Sequence, residues 1–476
     1  MLYIRGYDTL GAVILLFSTT GGRLMYPTNT IREKASLFFH ILWPILVTQI
    51  SYNLMTVLDT MMSGRAGTDD LAGVAVGSSL WMPVYTGLTG IMLAITPMVG
   101  QLIGNNRRSD VGRTVMQGFY LAIAISLVVL VIGAIALQPV LGIMDLSADV
   151  HTVATDYLHG LSIGIIPLFA SAVLRNFFDA QGYTRVSMVI LLMALPINAA
   201  LNYLLIFGNF GFPELGGAGA GYATAITYWF IFGASVFLTF KLKEMRTHYL
   251  FVRWYKVSFQ AWKEQLKIGV PMGLSTFFEA SIFSVVTLLM GSLFDTTVIA
   301  AHQTALNFTT LMFMVPLSIS IGMTIVVSHE VGARRMKHAK QYAILGVSSA
   351  LVIIGILSLL LFIFREQISY FYTSDRTVVL LAMQFMLFAI MYQFSDAAQA
   401  SLQGVLRGYK DVTIPFIIAF VSYWIVGLPS GYLLSRYTTL EPFGFWVGIT
   451  LGLTCAAIGF FLRLRFIQRK QEQAAV

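Results

Sequence analysis

Long apolar runs separated by short polar segments fill almost the whole chain. A membrane-spanning helix needs about 20 apolar residues. Runs of that kind lie at residues 41–62, 72–98, 115–137, 157–175, 187–207, 218–240, 266–290, 298–325, 341–364, 378–402, 412–435 and 442–464. They predict twelve transmembrane helices and an all-α membrane protein.

The pattern repeats. With a shift of 227 residues, Pro44 meets Pro271 and Gly64 meets Gly291. One residue later in register GNNRR, from Gly104, meets GARR, from Gly332; at a shift of 226, Gly182 of DAQGYTRVSM meets Gly408 of VLRGYKDVTI. Each half then holds six spans, and both halves enter the membrane the same way. That is a parallel repeat, related by a pseudo-two-fold axis along the membrane normal. The expected organisation is a cytoplasmic N-terminal extension (1–32), a six-helix lobe (33–240), a basic linker (241–265), a second six-helix lobe (266–464) and a basic cytoplasmic tail (465–476). Two such bundles predict a cavity at their interface and alternating access by rocking. The short apolar stretch TLGAVILLF near the N-terminus cannot span, and residues 1–24 read as a dispensable extension ahead of Met25.

Composition agrees with a polytopic protein: 57% of residues are hydrophobic and only 11% charged, against about 25% in soluble domains. The net charge of +8 reflects membrane orientation, with no sign of a nucleic-acid surface. If the N-terminus is cytoplasmic, 26 of the 30 Lys and Arg fall on the cytoplasmic side, leaving Arg65, Arg365, Arg376 and Arg436 outside. Basic residues resist translocation, so both termini are expected in the cytoplasm of a plasma-membrane protein. The single cysteine, Cys455, and seven scattered histidines form neither a disulfide framework nor a metal cluster.

An acid inside a span costs roughly 2.5–3.5 kcal/mol on insertion scales, so it faces inward and is commonly functional. Asp59 lies near the end of the first span, and its repeat counterpart is Val286. Asn198 and Asn202 lie four apart, on one face of the fifth span. Two amide carbonyls and a carboxylate would make an oxygen site for Na⁺ or a proton relay; the plainer reading is interhelical hydrogen bonding. Glu279 lies mid-span between phenylalanines, with Tyr52 as its counterpart. Asp396 follows Tyr392 by one helical turn, so Tyr392 can donate to it, and Gln399 and Gln403 extend that polar face. Gln303 and Asn307 could face a cavity or pack between helices. Asp179, Glu330 and Asp411 read as cytoplasmic ion-pair partners.

These features favour a carrier. No nucleophile sits beside a base, no His-rich metal cluster occurs, and no Gly-x₄-Gly-Lys-Ser/Thr loop is present, so the chain reads as neither an enzyme nor an ATP-driven pump. A passive channel would not need coupling carboxylates. An exporter or flippase of a lipid-linked or secreted metabolite is the alternative; the expectation that no basic residue lies inside a span disfavours an anionic cargo.

The stretches VLDTMMSG, PMVGQLIGNNRR, LRNFFDAQGYTR, PINAALNYLLIFGNFGFPELGGAGAGYATAI, STFFEAS, AAHQTALNF and FSDAAQASLQGVLRGYKD resemble the MATE (multidrug and toxic compound extrusion) transporters, in particular the NorM-like branch. The resemblance runs from about residue 33 over nearly the whole chain. It implies twelve helices in two lobes with a central cleft, and antiport driven by Na⁺ or H⁺ that expels organic cations such as dyes and fluoroquinolones. By position, Glu279 and Asp396, with Tyr392, match the second-lobe acids of NorM-like members. Asp59, Asn198 and Asn202 match the first-lobe cation site, where Asn202 stands in place of an Asp found in some members and lowers the local negative charge. Gln303 matches a polar cavity position, and Thr224 would border the first-lobe site. Na⁺ could be held at Asp59, Asn198 and Asn202 or at Glu279 and Asp396. No cofactor beyond the coupling ion is expected. The expected partners are small cationic substrates and the lipid bilayer, with no nucleic acid, and the expected state is a monomer.

Overall fold

The structure, a computed structural model, describes residues 25, 27–144, 146–372 and 374–474. The expectation for residues 1–24 therefore lies outside the described residues. Helices dominate, and no strand occurs among the described residues. In chain order they are α1 (Ile31–Ala66), α2 (Thr68–Met92), α3 (Ile95–Gly104), α4 (Arg108–Ile143), α5 (Ala148–Ser162), α6 (Ile165–Ala180), α7 (Thr184–Phe207), α8 (Ala218–Lys241) and the short α9 (Lys243–Arg246). Then come α10 (Phe259–Leu293), α11 (Thr296–Gly332), α12 (Met336–Tyr372), α13 (Arg376–Gly408), α14 (Thr413–Phe420), α15 (Leu428–Tyr437) and α16 (Phe443–Ala474). Among the described residues eleven helices are long and apolar enough to cross a membrane, and α5 with α6, bent by 49°, makes a twelfth crossing when counted as one span.

Local chemistry explains where helices begin and break. Thr30 caps α1 reciprocally with Glu33: the Glu33 N–H donates to Thr30 Oγ1 at 3.2 Å, and the Thr30 N–H donates back to Glu33 Oε2 at 3.2 Å. The fourth span breaks because Pro167 has no N–H to bond the Ile163 carbonyl and its ring crowds that group. The freed carbonyl instead accepts from Trp229 Nε1 at 3.1 Å. The eleventh span is continuous but carries a π-helical segment, Val421–Gly427. Pro429, two residues further on, withholds the N–H that would have bonded Ile425.

The chain divides into two compact units. One takes in residues up to Gly77 and Arg107–Ser258; the other takes in Ser78–Asn106 and Phe259 onward. In the first unit, α7 packs against both α1 and α8, and α5 packs on α8. Small residues set the approach. A methyl group at Gly221 would run into the Tyr157 backbone, so only glycine lets α8 lie that close to α5. In the second unit α13 is central and packs against α11, α12 and α16. There the Gly404 position abuts the Ser320 backbone of α11 in the same way. Two cytoplasmic-type ion pairs expected from sequence form here: Arg463 grips Asp411 in a two-pronged contact at 2.7 and 3.1 Å, and Arg335 meets Glu330 at 3.3 Å.

Each unit also carries a lipid-facing stripe. On α4, Leu127, Val128, Val131, Ile132 and Ile135 are all more than half exposed, as are Val352, Ile356, Leu359 and Ile363 on α12. Exposed aliphatics in helical register are stable only with hydrocarbon beside them.

Candidate functional site

The first unit builds a polar cluster from three helices. Asp59 projects from α1 and is 8% exposed. Asn198 and Asn202, one turn apart on α7, are fully buried, and Thr224 comes from the start of α8. Asn202 Nδ2 donates to Asp59 Oδ1 at 2.6 Å and to Asn198 Oδ1 at 3.2 Å. Thr224 Oγ1 donates to Asp59 Oδ2 at 2.8 Å and lies 3.4 Å from Asn198 Nδ2. The sequence-expected trio is thus brought together, and Thr224, weighed there only as a bordering residue, touches the acid directly.

The arrangement differs from the expected oxygen cage in one respect. Asn202 turns its amide nitrogen to the carboxylate, and its Oδ1 is buried without a partner among the described residues. Both carboxylate oxygens accept from neutral donors, which stabilises an ionised acid in a low-dielectric setting. An arriving hard cation would find the Asp59 carboxylate, the Asn198 and Asn202 carbonyls and the Thr224 hydroxyl, all oxygen donors suited to an alkali or alkaline-earth ion. No group of three or more His, Cys, Asp or Glu suited to a metal occurs among the described residues.

The second unit builds its cluster from α10, α13 and the π segment. Asp396 is 1% exposed and accepts from Tyr392 at 3.3 Å. Tyr392 is clamped edge-on between Phe283 and Trp446, at 5.9 and 5.8 Å between ring centres. Glu279 lines a narrow pocket with Ile282, Phe283, Tyr423, Ile449 and Leu453. Gln303 is half-buried on α11 and, among the described residues, makes no hydrogen bond to this cluster.

Two residues here escaped sequence reasoning. Tyr423 sits in the π segment, is 2% exposed, and its hydroxyl has no partner among the described residues although the residue lines the Glu279 pocket. The extra residue of a π turn re-aims side chains, and such turns recur at functional sites; the nearby Pro429 was the available signal. Arg407, counted from sequence as a loop residue, is instead buried in the last turn of α13. It donates to Thr276 of α10 at 3.5 Å, one turn from Glu279. The first unit has a related contact: Arg175 stacks over Tyr52, the repeat counterpart of Glu279, at 5.2 Å. In both units a guanidinium from the fourth span of the repeat comes close to the same face of the first.

The family model MatE matches residues 44–204 and again 271–433, once in each half. A "Probable multidrug resistance protein NorM" from Halalkalibacterium halodurans is 49% identical over 95% of this chain and 98% of its own. One of the same name from Bacillus licheniformis is 51% identical over 94% and 98%. Among solved structures, the eukaryotic MATE transporter AtDTX14 superposes with a TM-score of 0.81 at 21% identity, covering 94% of this chain and all of that one. At that identity the likeness concerns the fold.

Proposed function

The chain belongs to the MatE family, and on that footing we propose that it is a secondary antiporter that exports organic cations in exchange for Na⁺ or H⁺. It is a multi-pass membrane protein and a transporter of small molecules, with no enzymatic chemistry; multidrug efflux is its function. The cargo class, the coupling ion, a plasma-membrane location with cytoplasmic termini, and a monomeric state belong to the proposal.

What supports it most is the setting of Asp59. This carboxylate is buried and held by the neutral side chains of Asn202 and Thr224. Among the described residues no Lys or Arg pairs with it. Its charge therefore draws a cation, and any cation that binds replaces the compensation that water would have given. Glu279 and Asp396 supply a second anionic site beside an aromatic wall of Phe283, Tyr392 and Tyr423, which suits a flat lipophilic cation. Ion and cargo need only differ in their affinity for the two access states; that difference sets how far each shifts the equilibrium.

One observation favours the other reading, export or flipping of a lipid-linked or secreted metabolite. Arg407 is a buried guanidinium close to the Glu279 pocket, and a phosphate or carboxylate headgroup could pair with it.

Efflux of ethidium from proteoliposomes separates the two. A pH or Na⁺ gradient is imposed singly with the membrane potential clamped. Drive by either gradient, lost in the double variant Glu279→Gln/Asp396→Asn while the protein still folds, is the expected result. Full efflux by the double variant would falsify a coupling role for these acids. Failure of both gradients to move ethidium would turn the reading towards an anionic cargo.

A further inference from the structure

Between α8 and α10 the chain runs through an irregular basic segment, residues 241–258, which forms part of the first unit. It is neither loose nor uniformly polar. Its inward side is pinned. Met245 is fully buried, Leu250 is 3% exposed, and Gln181 bridges Met245 Sδ at 3.2 Å and His248 Nε2 at 3.0 Å. Gln117 of α4 holds the far end, donating to the Lys256 carbonyl at 2.8 Å and accepting from the Ser258 N–H at 2.9 Å. Phe251 packs edge-on against Phe119 at 5.1 Å. Tyr249 and Phe251 both have positive φ, 52° and 58°. Two non-glycine residues persist in that region only where packing on either side over-determines them.

The outward side is the opposite of what solvent would select. Tyr249, Val252, Trp254 and Val257 are 60%, 64%, 67% and 51% exposed. Lys241, Lys243, Arg246, Arg253 and Lys256 are exposed among them, and the segment's single acid is Glu244. This apolar face continues the lipid-facing side of α8: Phe237 and Phe240 are exposed there, and the Phe240 ring lies 6.4 Å from Phe251. An interleaved aromatic and basic surface, rigidly held where a membrane-spanning helix ends, matches the headgroup layer of a bilayer.

We propose that the exposed face of residues 241–257 is a docking surface for anionic phospholipid headgroups. Trp254, Tyr249, Val252 and Val257 sit at the acyl boundary, and Lys243, Arg246, Arg253 and Lys256 hold the headgroup phosphates. The docked lipid reads the segment that joins the two halves of the chain. Juxtamembrane basic residues feel the negative surface potential of anionic leaflets over about a Debye length, so the preference is salt-dependent.

The test uses the full-length protein in liposomes containing brominated lipid, which quenches tryptophan on contact. Subtracting the emission of Trp254→Phe from that of the unaltered protein isolates Trp254 from the other six tryptophans. The expected result is quenching of Trp254 by brominated phosphatidylglycerol at mole fractions where brominated phosphatidylcholine leaves it bright. Arg253→Gln/Lys256→Gln should weaken that preference by roughly five-fold per charge removed. Raised ionic strength should weaken it in the unaltered protein, with no variant needed. No quenching by either lipid would show the face turned from the bilayer and overturn the proposal. Equal quenching by both, indifferent to salt, would overturn the headgroup selectivity.

Discussion

Thr224 donates its hydroxyl to Asp59 Oδ2 at 2.8 Å although 165 residues of chain separate them. A hydrogen bond to an ionised group contributes about 1.5–3 kcal/mol, and 1.4 kcal/mol is tenfold in affinity. Thr224→Val keeps the volume and deletes the donor. The coupling-ion concentration for half-maximal efflux should shift about tenfold, with Thr224→Ser restoring it. An unchanged ion dependence in Thr224→Val would remove Thr224 from the coupling site.

Tyr423→Phe separates stability from transport. The Tyr423 hydroxyl is buried and without a partner among the described residues, and such a group costs roughly 1–3 kcal/mol of desolvation. Its removal should therefore leave the melting temperature unchanged or raised. If the hydroxyl serves cargo in the Glu279 pocket, KM for ethidium efflux should rise severalfold. A stabilised variant with unaltered KM would assign the hydroxyl no contact with cargo.

Two glycines of one helix should behave oppositely. A methyl at Gly221 would collide with the Tyr157 backbone, whereas nothing lies within 4 Å of one at Gly233. Gly221→Ala forces α8 away from α5, at a cost of about 1–3 kcal/mol. Gly233→Ala only removes backbone freedom and should stabilise by about 0.5–1 kcal/mol. Thermal unfolding in detergent, followed by size-exclusion chromatography, reads both; similar melting temperatures would contradict the close contact of α5 and α8.

Acid should loosen the basic segment. Burial holds the pKa of His248 below the usual imidazole value, so the fold favours the neutral ring. A depressed pKa means that this stabilisation is present in full above about pH 6.5 and is lost as pH falls below it. Hydrogen exchange at residues 245–251 should accelerate between pH 7.5 and 5. His248→Gln should flatten that dependence, and a profile equally steep in the variant would place the titrating group elsewhere.

Much of this was legible in the chain. The apolar runs gave the crossings because nothing but a helix satisfies its own backbone in lipid. Asp59, Asn198 and Asn202 stood out because each polar group inside a span must be accounted for. Thr224 entered only through the family resemblance, since most buried hydroxyls here simply bond back one turn, as Thr227 does to Ala223 and Thr48 to Pro44. No local signal tells such a threonine from one that reaches across to another helix. Arg407 was misplaced because charge counting assigns residues at the end of a span to the loop, while the last turn of α13 is buried. The bend of the fourth span was readable from Pro167, though its repair by Trp229 was not.

The two halves share a scaffold but not their acids. Asp59 occurs where the other half has Val286, and Glu279 where the other has Tyr52 beneath Arg175. A protein that doubled either half would carry two copies of one acid set and none of the other. The halves are therefore not interchangeable, and loss of either one removes an acid set that the other does not carry.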